Sequence, residues 1–145
     1  MIGTILLVED SEDDVELTRR ALKKNNLTNP LVVARDGQEV LDYLLGGDDD
    51  RGAAQDLPAI VLLDLQLPKV SGLEVLRKLR AAKRTSLLPI VILTSSKEER
   101  DLVDGYASGA NSYIRKPVDF DQFIEAVRQL GLYWLVLNEP PPHVE

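Results

Sequence analysis

The chain contains no cysteine and a single histidine, His143, close to its carboxyl end. The lack of cysteine excludes disulfides, thiolate catalysis and cysteine-based zinc sites, and one histidine leaves little room for histidine chemistry. Basic residues are also scarce, since 17 Lys and Arg face 24 Asp and Glu, and the net charge is −7. Such a chain has no general attraction for nucleic acid or anionic lipid. We therefore expect neither partner, and a basic or metal-bearing one instead.

Long hydrophobic runs are missing as well. The longest, residues 132–137, is far too short to span a bilayer. The apolar start of the chain runs into Glu9 and Asp10 without a basic leader or a cleavage-like site, so we expect a cytoplasmic protein. The chain has 145 residues, of which 44% are hydrophobic, and this suits one compact domain.

Five short segments rich in β-branched residues alternate with five segments of helical periodicity. The predicted strands cover residues 5–8, 31–34, 59–63, 89–93 and 112–115, and the predicted helices cover 12–24, 37–45, 73–82, 98–108 and 120 onward. Ser11 and Ser71 are placed to cap the first and third helices. The alternation predicts an α/β domain with a mostly parallel sheet covered by helices on both faces.

Polar residues stand at the ends of four predicted strands. Glu9 and Asp10 follow the first, Asp64 the third, Thr94 the fourth and Lys116 the fifth. Each alone has an ordinary explanation as a helix start, a loop residue or a surface lysine. Ligands of open parallel sheets bind outside the carboxyl ends of the strands, so we expect the five to form one site.

The chemistry of that set points to phosphoryl transfer. Clustered carboxylates repel one another unless a cation intervenes, and Mg²⁺ prefers oxygen ligands. Asp64 is the expected nucleophile, with Glu9 and Asp10 binding Mg²⁺ directly or through water. Lys116 and Thr94 would stabilise the phosphoryl oxygens by charge and by hydrogen bonding.

Four motifs, found in order, resemble those of the bacterial two-component response-regulator receiver domain. They are Leu6-Leu7-Val8-Glu9-Asp10, Leu63-Asp64-Leu65-Gln66-Leu67-Pro68 followed by Ser71-Gly72, Ile92-Leu93-Thr94-Ser95, and Ile114-Arg115-Lys116-Pro117. The resemblance implies a flavodoxin-like, doubly wound five-stranded parallel sheet of order 2-1-3-4-5, in a receiver domain at residues 1–130. An extended C-terminal helix or arm would follow it.

The resemblance also implies residue roles. Asp64 would be the phosphoacceptor for a sensor histidine kinase and Asp10 a direct metal ligand, in a signalling domain rather than an enzyme. The backbone carbonyl of Gln66 would be a further ligand of Mg²⁺, for which Mn²⁺ can substitute. Glu9 stands where many members have aspartate, which should alter the metal geometry slightly.

Two further implications concern the switch. Tyr113 would change rotamer when Thr94 moves toward the phosphoryl group. The Lys116-Pro117 peptide bond would be cis and would aim the lysine inward.

Residues 131–145 form an apolar extension with a proline-rich tail. Tyr133, Trp134 and Leu137 belong to a run with more apolar surface than one face can bury, which predicts an interface and a homodimer formed through the last helix and the extension. Gly131 leaves open whether the extension is helix or arm. With so few residues after 130, we expect output by protein contact rather than an output domain. The extension resembles small regulators paired with bacterial phytochrome kinases, which implies such a partner.

Three other functions are alternatives to this one. A phosphorelay intermediate, passing its phosphoryl group to a histidine phosphotransfer protein, is equally compatible with the sequence. A Mg²⁺-dependent aspartyl phosphatase of the haloacid-dehalogenase type would normally carry a second aspartate where this chain has Gln66. A flavin or nucleotide module would have a glycine-rich or hydroxyl-rich phosphate loop in place of Glu9-Asp10.

Overall fold

The computed structural model describes residues 3–46, 57–94, 99–115 and 120–131. Strands and helices alternate regularly along these residues. The strands are β1 (Ile5–Val8), β2 (Leu31–Ala34), β3 (Ile60–Leu63), β4 (Ile90–Thr94) and β5 (Ser112–Arg115). The helices are α1 (Glu12–Lys24), α2 (Gly37–Leu45), α3 (Gly72–Ala81), α4 (Glu99–Ala107) and α5 (Phe120–Leu130), and a short 3₁₀ helix at Lys83–Thr85 follows α3.

The strands form one sheet of order β2-β1-β3-β4-β5, and every neighbouring pair is parallel. The predicted fold class, strand number and strand order are therefore confirmed. Val8 lies opposite Leu63, and Leu63 lies opposite Ile92. This register brings the carboxyl ends of β1, β3 and β4 to one edge of the sheet.

Alternation of side chains along the strands divides the core into two layers. Every residue of β1, β3 and β4 is buried, as the prediction of helices on both faces requires. Leu6 and Val8 of β1 pack in the layer that includes α2 and α3 residues, and Ile5 and Leu7 pack in the layer that includes α1 and α5 residues. The sheet is thus packed on both faces, and its edge at the strand carboxyl ends carries the polar residues.

Element boundaries agree with the predictions to within one residue. Thr94 is the last residue of β4 rather than the first after it, because it is still in register with Arg115 of β5. Pro89, the first residue of the predicted strand, instead precedes β4, because proline has no backbone N–H to donate. The predicted N-caps are confirmed: the hydroxyls of Ser11 and Ser71 accept hydrogen bonds from backbone N–H groups three residues later.

Among the described residues, no helix is long and apolar enough to cross a membrane. The predicted interface residues Tyr133, Trp134 and Leu137 lie outside the described residues.

Candidate functional site

The ends of β1 and β3 place three carboxylates side by side. The N–H of Asp64 donates to the carbonyl of Val8 at 3.1 Å, so the residue after β3 lies beside the residues after β1. One carboxylate oxygen from each of Glu9, Asp10 and Asp64 lies within 4.8 Å of the other two. The structure thus brings together the three acidic residues that the sequence singled out.

The environment of these carboxylates suits a divalent cation. Glu9 is 2% exposed and Asp64 7% exposed, whereas Asp10 is open to solvent. Glu9 Oε2 accepts a hydrogen bond from the Ser11 backbone at 3.2 Å, which fixes that carboxylate. Buried like charges at this spacing are costly unless a cation compensates them, and an all-oxygen donor set fits Mg²⁺ or Mn²⁺.

Hydrogen bonds from two of the described residues orient the Asp64 carboxylate. The buried hydroxyl of Thr94, at the end of β4, donates to Asp64 Oδ1 at 2.9 Å. The backbone N–H of Gln66 donates to the same oxygen at 3.1 Å. The first of these bonds links the candidate phosphoacceptor to the neighbouring strand. The second places the backbone around Gln66 next to the carboxylate cluster.

The remaining predicted site residues lie on and after β5. Tyr113 is opposite Ile92 in register, and its ring centroid is 6.5 Å from that of Tyr106 on α4. The backbone of Arg115 is opposite Thr94, so Lys116 directly follows the neighbour of Thr94. Lys116 itself and the Lys116-Pro117 bond, predicted to be cis, lie outside the described residues.

Close backbone packing beneath the site was not predicted from the sequence. A Cβ on Gly72 would lie 2.2 Å from the carbonyl oxygen of Asp64, and a Cβ on Gly37 would lie 2.0 Å from that of Val70. Only glycine fits at either position without movement of the backbone. Their sequence signal was a glycine directly after a helix cap, at Ser71-Gly72 and at Asp36-Gly37.

Residues 5–128 match the family model of the response regulator receiver domain. The chain belongs to the response-regulator receiver family. It is accordingly a receiver-domain response regulator of the two-component type, a class whose partners are sensor histidine kinases. The match includes every residue of the carboxylate cluster, and it also includes Lys116.

Three relatives are similar over nearly their whole length. The response regulator Rcp1 of Synechocystis is 32% identical over 131 residues, which are 90% of this chain and 88% of Rcp1. Its Mn²⁺-bound structure superposes with a TM-score of 0.85 at 31% identity, covering 97% of this chain and 99% of that one. The phosphorylated cyanobacterial phytochrome response regulator RcpA gives a TM-score of 0.88 at 31% identity, covering 98% and 100%. The bacteriophytochrome response regulator RtBRR is 51% identical, with a TM-score of 0.75 and coverage of 98% and 86%.

Proposed function

We propose that this response regulator accepts a phosphoryl group on Asp64 from a sensor histidine kinase, in a Mg²⁺-dependent reaction, and signals by conformational change and protein contact. The observation that carries the proposal is the buried Asp64 carboxylate, which is clustered with two other carboxylates and holds the Thr94 hydroxyl on Oδ1. A carboxylate fixed in this way is a nucleophile in a defined orientation.

The phosphoryl transfer needs few protein groups. An Asp64 oxygen forms the new O–P bond while the N–P bond of the kinase phosphohistidine breaks, and the nitrogen keeps the electron pair. Bound Mg²⁺ supplies positive charge that offsets the charge of the nucleophile and of the phosphoryl oxygens. Glu9, Asp10, Asp64 and the Gln66 carbonyl would hold the ion.

Two cationic or hydrogen-bonding groups complete the proposed site. Thr94 already donates to Asp64, so its hydroxyl is within reach of a phosphoryl group formed there. Lys116 follows Arg115, the β5 residue that lies opposite Thr94, and it would place its ammonium against the phosphoryl oxygens. Tyr113, which lies on β5, would change its packing when Thr94 moves.

The proposed partners are a bacterial phytochrome kinase and a second copy of this chain. The first is supported by the similarity to RcpA and RtBRR, which are phytochrome response regulators. The second rests on the apolar run at residues 132–137, with Tyr133, Trp134 and Leu137 as interface residues.

Intact-protein mass spectrometry after incubation with acetyl phosphate tests the proposal. Wild type should gain one phosphoryl group with Mg²⁺ and none with EDTA, and Asp64→Asn should gain none. The control is Asp13→Asn, which lies in the exposed first turn of α1 and should label like wild type. Unchanged labelling of Asp64→Asn would disprove the acceptor assignment. Sizing chromatography of the same samples reports the oligomeric state, and a monomer in all of them would contradict the homodimer.

A further inference from the structure

The loop between β3 and α3, residues 64–71, carries Gln66. A backbone carbonyl can bind a metal whatever the side chain is, so the path of the loop decides whether Gln66 is a ligand. Two hydrogen bonds fix the beginning of the loop: Gln66 N–H donates to Asp64 Oδ1, and Gly72 N–H donates to the Leu65 carbonyl at 3.0 Å.

The far half of the loop makes an unusual turn. The N–H of Val70 donates to the carbonyl of Pro68 at 2.8 Å, which closes a three-residue turn around Lys69. Lys69 has a φ of 68°, a backbone conformation that residues with a Cβ rarely adopt. Such a turn persists where the surrounding structure holds it in place.

The first turn of α2 contacts that turn at three points. The N–H of Gly37 donates to the Pro68 carbonyl at 3.3 Å, and the missing Cβ of Gly37 leaves room for the Val70 carbonyl. The side chain of Asp36 divides its two oxygens between the elements. Oδ1 accepts from the Glu39 N–H at 2.8 Å and caps α2, and Oδ2 lies 3.4 Å from the Lys69 ammonium.

We propose that Asp36 and Gly37 are positioning residues for the metal site: they hold the β3–α3 loop where the Gln66 carbonyl faces the carboxylates of Glu9, Asp10 and Asp64. This inference rests on the proposed function, since it requires that the cluster binds a divalent cation. Gly37 sets how closely the loop approaches α2, and Asp36 ties Lys69 to the helix cap. Neither residue touches the metal.

The experiment measures the Mg²⁺ affinity of the unphosphorylated 145-residue chain by calorimetry, with Mn²⁺ electron paramagnetic resonance as a second readout. Gly37→Ala should weaken binding by about ten-fold or more, as loss of an outer-shell support does. Gly3→Ala is the matched control. Its added Cβ would be 2.4 Å from the Ala59 Cβ, at the opposite edge of the sheet, so it crowds the fold without disturbing the loop.

A milder variant covers the case in which Gly37→Ala does not fold. Asp36→Ser with Lys69→Ala keeps a capping hydroxyl on α2 and removes only the exposed ion pair, and it should weaken Mg²⁺ binding by about three-fold. Wild-type affinity in whichever of these variants is folded would overturn the positioning role. If wild type itself binds no Mg²⁺ and Asp64 is not labelled, it is the proposed function that fails.

Discussion

Removing the Asp10 charge should stabilise the metal-free protein. Asp10→Asn keeps the size of the side chain and abolishes two of the three repulsive pairs in the cluster, whose oxygens lie within 4.8 Å of one another. Because Asp10 is exposed, the repulsion in each pair is about 1 kcal/mol, which is close to the value for two unit charges about 4 Å apart in bulk water. The free energy of unfolding should therefore rise by about 1 to 2 kcal/mol in EDTA, after allowance for solvent screening.

Urea denaturation at neutral pH, with EDTA and with Mg²⁺, measures the effect. Mg²⁺ at 100 times its dissociation constant should stabilise wild type by about 2.7 kcal/mol, and the variant should gain much less. Asp10→Asn should therefore be the more stable protein in EDTA, and wild type should be the more stable protein in Mg²⁺. Asp13→Asn is the control, because it removes a charge from the first turn of α1 and should cost about 0.3 to 1 kcal/mol under both conditions.

A neutral or destabilising Asp10→Asn in EDTA would refute the reasoning. So would a stabilisation that persists at about 1 M NaCl, since screening should reduce repulsion between charges as exposed as that of Asp10. Either result would mean that the carboxylates do not need a cation, and the case for a metal at this site would then lose its electrostatic basis.

Two further predictions concern stability away from the cluster. Arg80→Met should lower the free energy of unfolding, measured in urea, by about 2 to 4 kcal/mol. The reason is that the half-buried Arg80 guanidinium donates to three backbone carbonyls and to Asn111 Oδ1. The control is Arg77→Met, which removes an exposed ion pair with Glu74 and should have almost no effect. The Glu39 N–H, and then Lys69, lower the pKa of Asp36 below its ordinary 3.8, so Asp36 stabilises the fold above that pH and loses the contribution as pH falls through its folded-state pKa. Urea midpoints measured across acidic pH should consequently fall less steeply for Asp36→Ser than for wild type, and parallel curves would contradict this.

The sequence was sufficient for the fold because its signals were local and redundant. Unbroken apolar runs required strands covered on both faces, helical segments separated them, and the serine caps marked where helices began. The positions of Glu9, Asp10 and Asp64 followed from the same logic, since parallel strands put their carboxyl ends at one edge.

The contacts that shape the site could not be predicted in the same way. Gly37 packs against Val70, and Gly72 packs against Asp64. Both contacts depend on how the first turns of α2 and α3 pack against the β3–α3 loop. That geometry is a tertiary property with no periodic signature in the chain. The ion pair between Asp36 and Lys69 joins residues 33 positions apart for the same reason. The roles predicted for Lys116 and Trp134 stay predictions, because both lie outside the described residues.

The hydrogen bond from Thr94 to Asp64 Oδ1 would link phosphorylation of Asp64 to a conformational change in the domain. Once an Asp64 oxygen is bonded to phosphorus, the carboxylate charge is gone and the phosphoryl oxygens become the strongest acceptors nearby. Thr94 is fully buried, so a hydroxyl left without a partner would cost about 1 to 3 kcal/mol. The hydroxyl would therefore follow the acceptor. A free-energy bias of that size shifts a two-state equilibrium about 5- to 150-fold. Because Thr94 pairs in register with β5, its movement would reach the strand that carries Tyr113, whose ring lies near that of Tyr106 on α4.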